Sequence, residues 1–594
     1  MKKMYKYLIM AIVASSMVFY SCETTELDLL ENPNTLSKAD PDLLLNRIQM
    51  EYKGAIENFN TNGAELSRIE YFFGRNYQAD LGPDVLNTPW NNLYSDMMPD
   101  IAAIQDLHSP PDKDYSYHLG ISKIMQAHLL MLLVDYLGDI PFSQAGNPDE
   151  FKSPEVDDGA AVYSSVLALL DEAKTLLDGA SAGTANDLYY RGNSAKWIKL
   201  ANTLKMRADL TVGNYQAVVN ATGVIESSAD DFVFKFGTNE LQPDTRHPDY
   251  ESDYRSDGAN TYQSNWLVNL MVGPYGDYSS STPDPRRRYY FFRQSWRTPG
   301  SYALYEDVDG LFGDPGTVYL SNGDGVGETL NCSLEETPNH LQFTPDEDIW
   351  CSMQLGYWGR THGDDEGIPP DNFLRTAPGV YPAGGSFDGI ADAFPYVGES
   401  ISGTWPQAVG LGNGGGGAGI EPIMLASYVD FMKAEASLAL GDGATAATYL
   451  EAGMTKSIDK VMSFGSLDSG ADFSQAPDEE TVSGFIADKV AEFSNANLTT
   501  GVDGTGFPTS KDKYDILGEQ YFVTLYGAGA DAYNFIRRTG YPRTLARNIE
   551  ADPGRFPRSF FYPSNEIVPN PSIKQKSDLS TQVFWDNGAI NPAN

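Results

Sequence analysis

Along most of the chain the apolar positions recur every three or four residues, the spacing that puts them on one face of an α-helix. From Asp40 to about Ser228 this period dominates. Trp90-Asn-Asn-Leu93-Tyr94 continues through Met97, Ile101, Ile104 and Leu107. A second run, His118 to Leu137, carries Ile121, Ile124, Met125, Leu129, Leu132 and Leu133; Gly138 stops it and Pro141 prevents its resumption. Ala160–Leu177 and Ser194–Val212 follow the same rule, and after Pro422 it returns in Met424–Leu440, Gly443–Val461, Thr481–Phe493, Tyr514–Tyr526 and Asp531–Arg538. Gly441-Asp442-Gly443 is a short turn joining two of these amphipathic segments. The pattern predicts a mainly α protein built from helical hairpins.

Between about residues 231 and 420 the helical period is lost. Glycine, proline, aspartate and aromatics dominate, and five of the eight tryptophans (Trp266, Trp296, Trp350, Trp358 and Trp405) lie there. Long irregular stretches inside an otherwise regular domain tend to carry function. The chain therefore reads as one domain over 41–594. A helical scaffold occupies 41–230 and 421–545, an irregular aromatic-rich insertion 231–420, and a proline-rich tail wraps the helices over 546–594. Trp197-Ile-Lys-Leu200-Ala201 resembles the opening of a tetratricopeptide helix, although no strict 34-residue repeat is visible.

The N-terminus sets the address. Lys2, Lys3 and Lys6 precede an apolar run from Leu8 to Tyr20, a secretory signal over 1–21. Ser21-Cys22 follows, and this junction resembles a bacterial lipobox, with Cys22 acylated as the mature N-terminus; a plain secreted protein is the alternative. Acyl chains would then hold the protein on a membrane. Residues 22–40 form an acidic tether whose stretch ETTELDLLENPN is similar to the export signal of surface lipoproteins of Bacteroidetes-type bacteria. No other apolar stretch is long enough to span a bilayer.

Charge narrows the partners. With 41 Lys+Arg against 81 Asp+Glu the net charge is −40, and −43 once the three leader lysines are gone. Such a chain repels phosphate backbones, so nucleic acid is excluded as a partner, and sulfated glycans are disfavoured. Apart from Cys22 only Cys332 and Cys351 remain. An exported chain can bond them, and two unpaired thiols are the plainer reading.

Signatures of catalytic or cofactor chemistry are few in the chain. Gly410-Leu-Gly412-Asn-Gly414-Gly415 meets the letter of a dinucleotide fingerprint but lacks a preceding strand, and reads as a flexible loop. No phosphate-binding loop, HExxH or CxxC occurs, and the six histidines show no ligand spacing. His128 lies on an apolar helix face and reads as a hydrogen-bonded core residue. Asp364, Asp365 and Glu366 form a compact acidic loop that offers oxygens to a structural calcium ion, or is simply solvated. No other cofactor is expected. A pair of carboxylates for glycoside hydrolysis carries no signal among 81 acids.

Several segments together resemble the SusD/RagB family. Val134-Asp135-Tyr136-Leu137-Gly138-Asp139-Ile140-Pro141-Phe142 is similar to its Tyr-x-Gly-Asp-hydrophobic-Pro-aromatic element. Trp90-Asn-Asn-Leu-Tyr, Trp197–Arg207 and Tyr428–Glu435 match other helices, and Ala532–Arg538 with Arg558–Glu566 its closing elements; His362–Pro382 looks like a starch-binding-associated branch. The resemblance implies a SusD-like helical scaffold with tetratricopeptide-like pairs and no catalysis. It also implies an outer-membrane lipoprotein that binds nutrient and closes over a SusC-like TonB-dependent transporter, the helices facing that barrel. Oligosaccharide is the expected ligand, peptide the alternative, and a secreted glycoside hydrolase the least favoured reading. Sugar rings stack their apolar faces on flat aromatics, which makes Trp266, Tyr275, Trp296, Trp358 and Trp405 the candidate ligand contacts, with Asp364 beside them.

Overall fold

The computed structural model describes residues 40–147, 149–272, 282–294, 357, 359–363, 375–390, 409–504, 506, 508–548, 550 and 552–593. Its first helix, α1 (Pro41–Leu66), starts where Asp40 accepts from the backbone N–H of Asp42 and Pro41 occupies the first turn. Leu45, Ile48, Tyr52, Ile56 and Phe59 form its buried stripe. Asn87–Asn91, a π-helical segment Asn92–Met97 and α2 (Met98–Leu107) then run on without a break. Pro99 has no N–H to return to the Ser95 carbonyl, and the wide turn just before it accommodates the ring.

Helix α3 (Ser116–Leu137) is apolar almost all round, with Tyr117, Leu119, Ile121, Leu129, Leu133 and Tyr136 among its buried residues. A helix of that kind must lie in the middle of a core. Against it pack α1 and α4 (Gly159–Leu177), whose N-terminus is capped by Asp158. Next comes α5 (Ser194–Thr211), capped by Asn193, with Trp197 fully buried and its Nε1 donating to Asp187 at 2.9 Å.

Two strands mark where the irregular region leaves and rejoins the helices. β1 (Phe232–Lys235) pairs antiparallel with β2 (Ile420–Met424), Val233↔Pro422 to Lys235↔Ile420 in register and Phe232↔Met424 beyond a shift between Phe232 and Val233. Inside the excursion, Gln263–Ser264 lies parallel to Gly359–Arg360, and Phe291–Phe292 antiparallel to Ala377–Pro378. After β2 the helices resume as α6 (Ala426–Ala439), α7 (Gly443–Ser463), α8 (Glu479–Asn495), α9 (Lys513–Thr524) and α10 (Ala530–Thr539). Asp442 caps α7 after the Gly441 turn, and a reciprocal Asp512/Asp515 box caps α9. Gly63 of α1 and Gly529 at the start of α10 touch backbone to backbone: a Cβ on Gly63 would stand 2.4 Å from the Gly529 carbonyl oxygen.

The tail crosses the end of α3. Phe560 N–H donates to the Tyr136 carbonyl at 2.7 Å, and Lys576 Nζ donates to the Leu137 carbonyl at 2.6 Å. One core runs continuously from α1 to these tail residues. His128 sits inside it, 4% exposed, with Nδ1 2.7 Å from the Tyr52 hydroxyl, and burial drives its pKa well down.

The glycine-rich segment is not a flexible loop. It is packed against Pro382–Ser386, with Gly415 N–H donating to the Gly385 carbonyl, Gly417 N–H to that of Gly384 and Ile420 N–H to that of Pro382. Gly412, Gly414, Gly416 and Gly417 have positive φ, and a Cβ on Gly419 would lie 1.9 Å from the Pro382 carbonyl oxygen. Glycine is there because two backbones run in contact.

Candidate functional site

Of the aromatics proposed from the sequence, Trp266 is the one within the described residues. It lies on the short helix Asn265–Val272, 1% exposed, edge-on to Phe522 of α9, with Nε1 donating to the Thr544 carbonyl at 2.9 Å. A ring enclosed in this way offers no face to a sugar, so Trp266 belongs to the core and not to a ligand platform. Tyr275, Trp296, Trp358, Trp405, Asp364, Asp365 and Glu366 lie outside the described residues, as do Cys22, Cys332 and Cys351.

The cavity that the fold builds lies where the C-terminal half of α1 meets the excursion. Its volume is about 530 Å³. Glu57, Asn60, Thr61 and Glu65 come from α1; Glu70, Tyr71 and Phe73 from the segment after it; His247, Asp249 and Asn260 to Gln263 from the excursion; and Glu421 from β2. The segment after α1 is held to the excursion by an isolated bridge between Glu70 and Gln263, and by the Ser264 hydroxyl donating to the Arg68 carbonyl at 2.7 Å. Opposite, the Tyr526 hydroxyl donates to Gln263 Oε1 at 2.9 Å, and its ring is stacked on Tyr290.

Besides Tyr526, three aromatics edge the cavity, in different states. Tyr262 is covered by guanidinium groups, Arg360 at 4.3 Å and Arg375 at 3.7 Å from its ring centre, and Tyr71 meets it edge-on at 5.7 Å. Phe73 is 65% exposed. It is the open apolar surface at this site.

Five carboxylates face the same space. Burial pushes Glu421 up to about 8, against the Asn60 side-chain amide that donates to it at 2.8 Å. Burial likewise lifts Glu65 to about 7, and raises Glu70 well above the ordinary carboxylate range, with Asp249, Glu65 and Glu421 adding repulsion. Asp249 moves in the same direction, although half its side chain is open and water screens it. Glu57 is paired with Lys53 one helical turn earlier. Beside them His247 is held neutral by burial, its pKa down to about 3. Among the described residues no three metal-type side chains converge on a point that could hold an ion. None of these acids was singled out from the sequence. Glu57 and Glu65 share a helix face by their spacing of eight, but 81 acids in the chain mask such a signal.

The helices before and after the excursion thus enclose a polar, acid-lined cavity where α1, β2 and the excursion meet. Comparison with known proteins gives the fold and a partial family match. The model of SusD-like proteins described as starch-binding and associating with the outer membrane matches residues 33–312, just under half of the chain. A SusD/RagB family protein from Bacteroides thetaiotaomicron shares the fold with a TM-score of 0.59 at 16% identity, over 93% of this chain and 100% of that one. A SusD homologue from Bacteroides fragilis gives 0.58 at 16%, covering 92% and 99%. A chitin-binding protein gives 0.55 at 19%, covering 92% and 100%. No curated protein matches. Over residues 33–312 the chain is thus similar to SusD-like proteins, and over more than nine-tenths of its length it has the SusD-like fold.

Proposed function

We propose that this protein is a surface lipoprotein, anchored through acylated Cys22, that binds oligosaccharide without cleaving it and passes it to a SusC-like TonB-dependent transporter. The observation that carries the ligand-binding reading is the cavity at the scaffold–excursion junction. It combines an exposed phenyl ring, Phe73, with amide and hydroxyl groups from Asn60, Thr61, Asn260 and Thr261. Sugars need that mixture, because a pyranose has an apolar face and a rim of hydroxyls. In this reading Tyr275, Trp296, Trp358 and Trp405 of the excursion complete the platform, and the helices face the barrel as a broad rigid surface.

Calorimetry with a glycan panel tests the reading, with product analysis of the same mixtures. Binding with unchanged glycans is expected. Phe73→Ala should weaken it at least tenfold, the equivalent of ~1.4 kcal/mol. Cleaved product, or no glycan bound at all, overturns it. Recovery of the protein from detergent-solubilised membranes should bring a TonB-dependent barrel with it.

A further inference from the structure

Helix α8 is thinly covered for its length. Of its 17 residues only Phe485 and Phe493 are buried, whereas the neighbouring α7 buries seven of 21. An amphipathic helix on a protein surface covers about three positions in every seven, so part of the apolar side of α8 is left over. Val482, Ile486 and Val490 recur every four residues, share that side and are only half-buried. With Met462 of α7 they form the floor of a groove between the two helices, of about 740 Å³, separate from the acid-lined cavity. The groove follows α7 from Glu451 to Met462, a run of about 16 Å or three helical turns.

Its edges carry charge of one sign. Glu451 and Asp459 of α7 and Glu479 of α8 line it, and none of them has an ion pair among the described residues. The three lysines of the two helices are engaged elsewhere: Lys456 with Asp430, Lys460 with Asp231 and Lys489 with Glu492. No Lys or Arg lines the groove among the described residues. An apolar floor between carboxylate edges complements a helix whose apolar stripe is flanked by Lys or Arg. A second copy of the chain is a poor occupant, because it brings a net charge of −40 and the same acidic edges. Anionic lipid is repelled for the same reason.

We propose that the α7–α8 groove docks a basic amphipathic helix of a partner protein. The apolar stripe of that helix covers Val482, Ile486 and Val490, and its cations meet Glu451, Asp459 and Glu479. This docking uses neither the acid-lined cavity nor Phe73, so it stands or falls apart from glycan binding.

The test is fluorescence anisotropy on the full-length protein in detergent at 150 mM NaCl, with three labelled peptide probes of equal length. The first carries Leu and Lys in helical period, the second has Glu in place of Lys, and the third is a scramble of the first without an apolar stripe. The first should bind at least tenfold more tightly than either other. A smaller preference, or no binding of any probe, overturns the proposal. Ile486→Glu then separates groove from general acidity: it adds a negative charge, which strengthens diffuse attraction, yet it should weaken docking of the first probe at least fivefold. A smaller loss overturns the proposal. If Ile486→Glu unfolds α8, a photoreactive form of the first probe on the wild type should crosslink within residues 451–462 and 479–491. Crosslinks elsewhere overturn it. Sedimentation of the wild type without probe should show no dimer that Ile486→Glu dissolves; such a dimer gives the groove to a second copy and overturns the proposal.

Discussion

Asp135 and Arg207, 72 residues apart in sequence, are joined by a 2.9 Å hydrogen bond between Oδ2 and Nη2, with neither side chain more than 2% exposed. The same Asp135 carboxylate accepts from Asn534 at 2.8 Å, from Trp585 Nε1 at 3.0 Å and from the Tyr163 hydroxyl. Its backbone carbonyl accepts from Arg537 at 2.6 Å, and Arg207 Nε donates to Asp531 at 2.7 Å. Three of the segments that carry the family resemblance therefore meet here, the end of α3, α5 and α10, together with Trp585 of the tail. Their side chains are bonded to one another and hold the scaffold together.

Removing the hub should be costly. Asp135→Ala leaves the Arg207 guanidinium short of one of its two acids in a dry interior, and such uncompensated charges cost about 3–5 kcal/mol. Chemical denaturation should show a loss of that order. A loss under 1 kcal/mol would mean that the network is not structural.

Trp266→Ala separates core from ligand contact. The enclosed indole should cost about 3–5 kcal/mol of stability, as large core truncations do. Glycan affinity of the fraction that remains folded should stay within twofold of wild type. A specific tenfold loss of affinity with unchanged melting temperature would return Trp266 to the binding site.

The cavity acids give stability a pH signature. A glutamate in an unfolded chain loses its proton near 4.5, whereas Glu421 in the fold keeps it to about 8. The folded state binds the extra proton between those values, so this group's contribution is fully present below 4.5 and is lost as the pH rises to 8. Glu421→Gln keeps an acceptor for Asn60 and cannot ionise. Its unfolding free energy should match wild type at pH 4.5 and exceed it increasingly toward pH 8, by roughly 1–3 kcal/mol at the upper end. A constant difference across that range rules out the buried proton.

Gly419→Ala tests the glycine-rich segment. A methyl group 1.9 Å from the Pro382 carbonyl oxygen forces the two backbones apart. Overpacking of this kind costs about 1–3 kcal/mol. Limited proteolysis should then cut between residues 409 and 419, where wild type resists.

Cys22→Ala should move the protein from the membrane fraction to the soluble fraction after a high-salt wash. The acidic surface has no affinity of its own for anionic lipid headgroups. Retention on membranes that lack the barrel partner would remove the lipid anchor from the proposal.

The sequence by itself determined the helices. Apolar spacing, Gly138, Gly441 and the Asp and Asn caps are local chemistry, and the predicted segments match α3 to α10 to within a few residues at each end. The ordered set of segments likewise carried the resemblance to SusD-like proteins, whose fold the chain shares. Tertiary structure alone decided which aromatics are buried, because Trp266 becomes core only when Phe522 and Thr544, over 250 residues away, close around it. It also turned a glycine-rich run into a packed one, through contact with a second backbone at residues 382–386. The acid-lined cavity was invisible for the same reason. Glu57, Glu70, Asp249 and Glu421 are scattered over 365 residues of an acidic chain, and only the meeting of α1, the excursion and β2 brings them around one cavity.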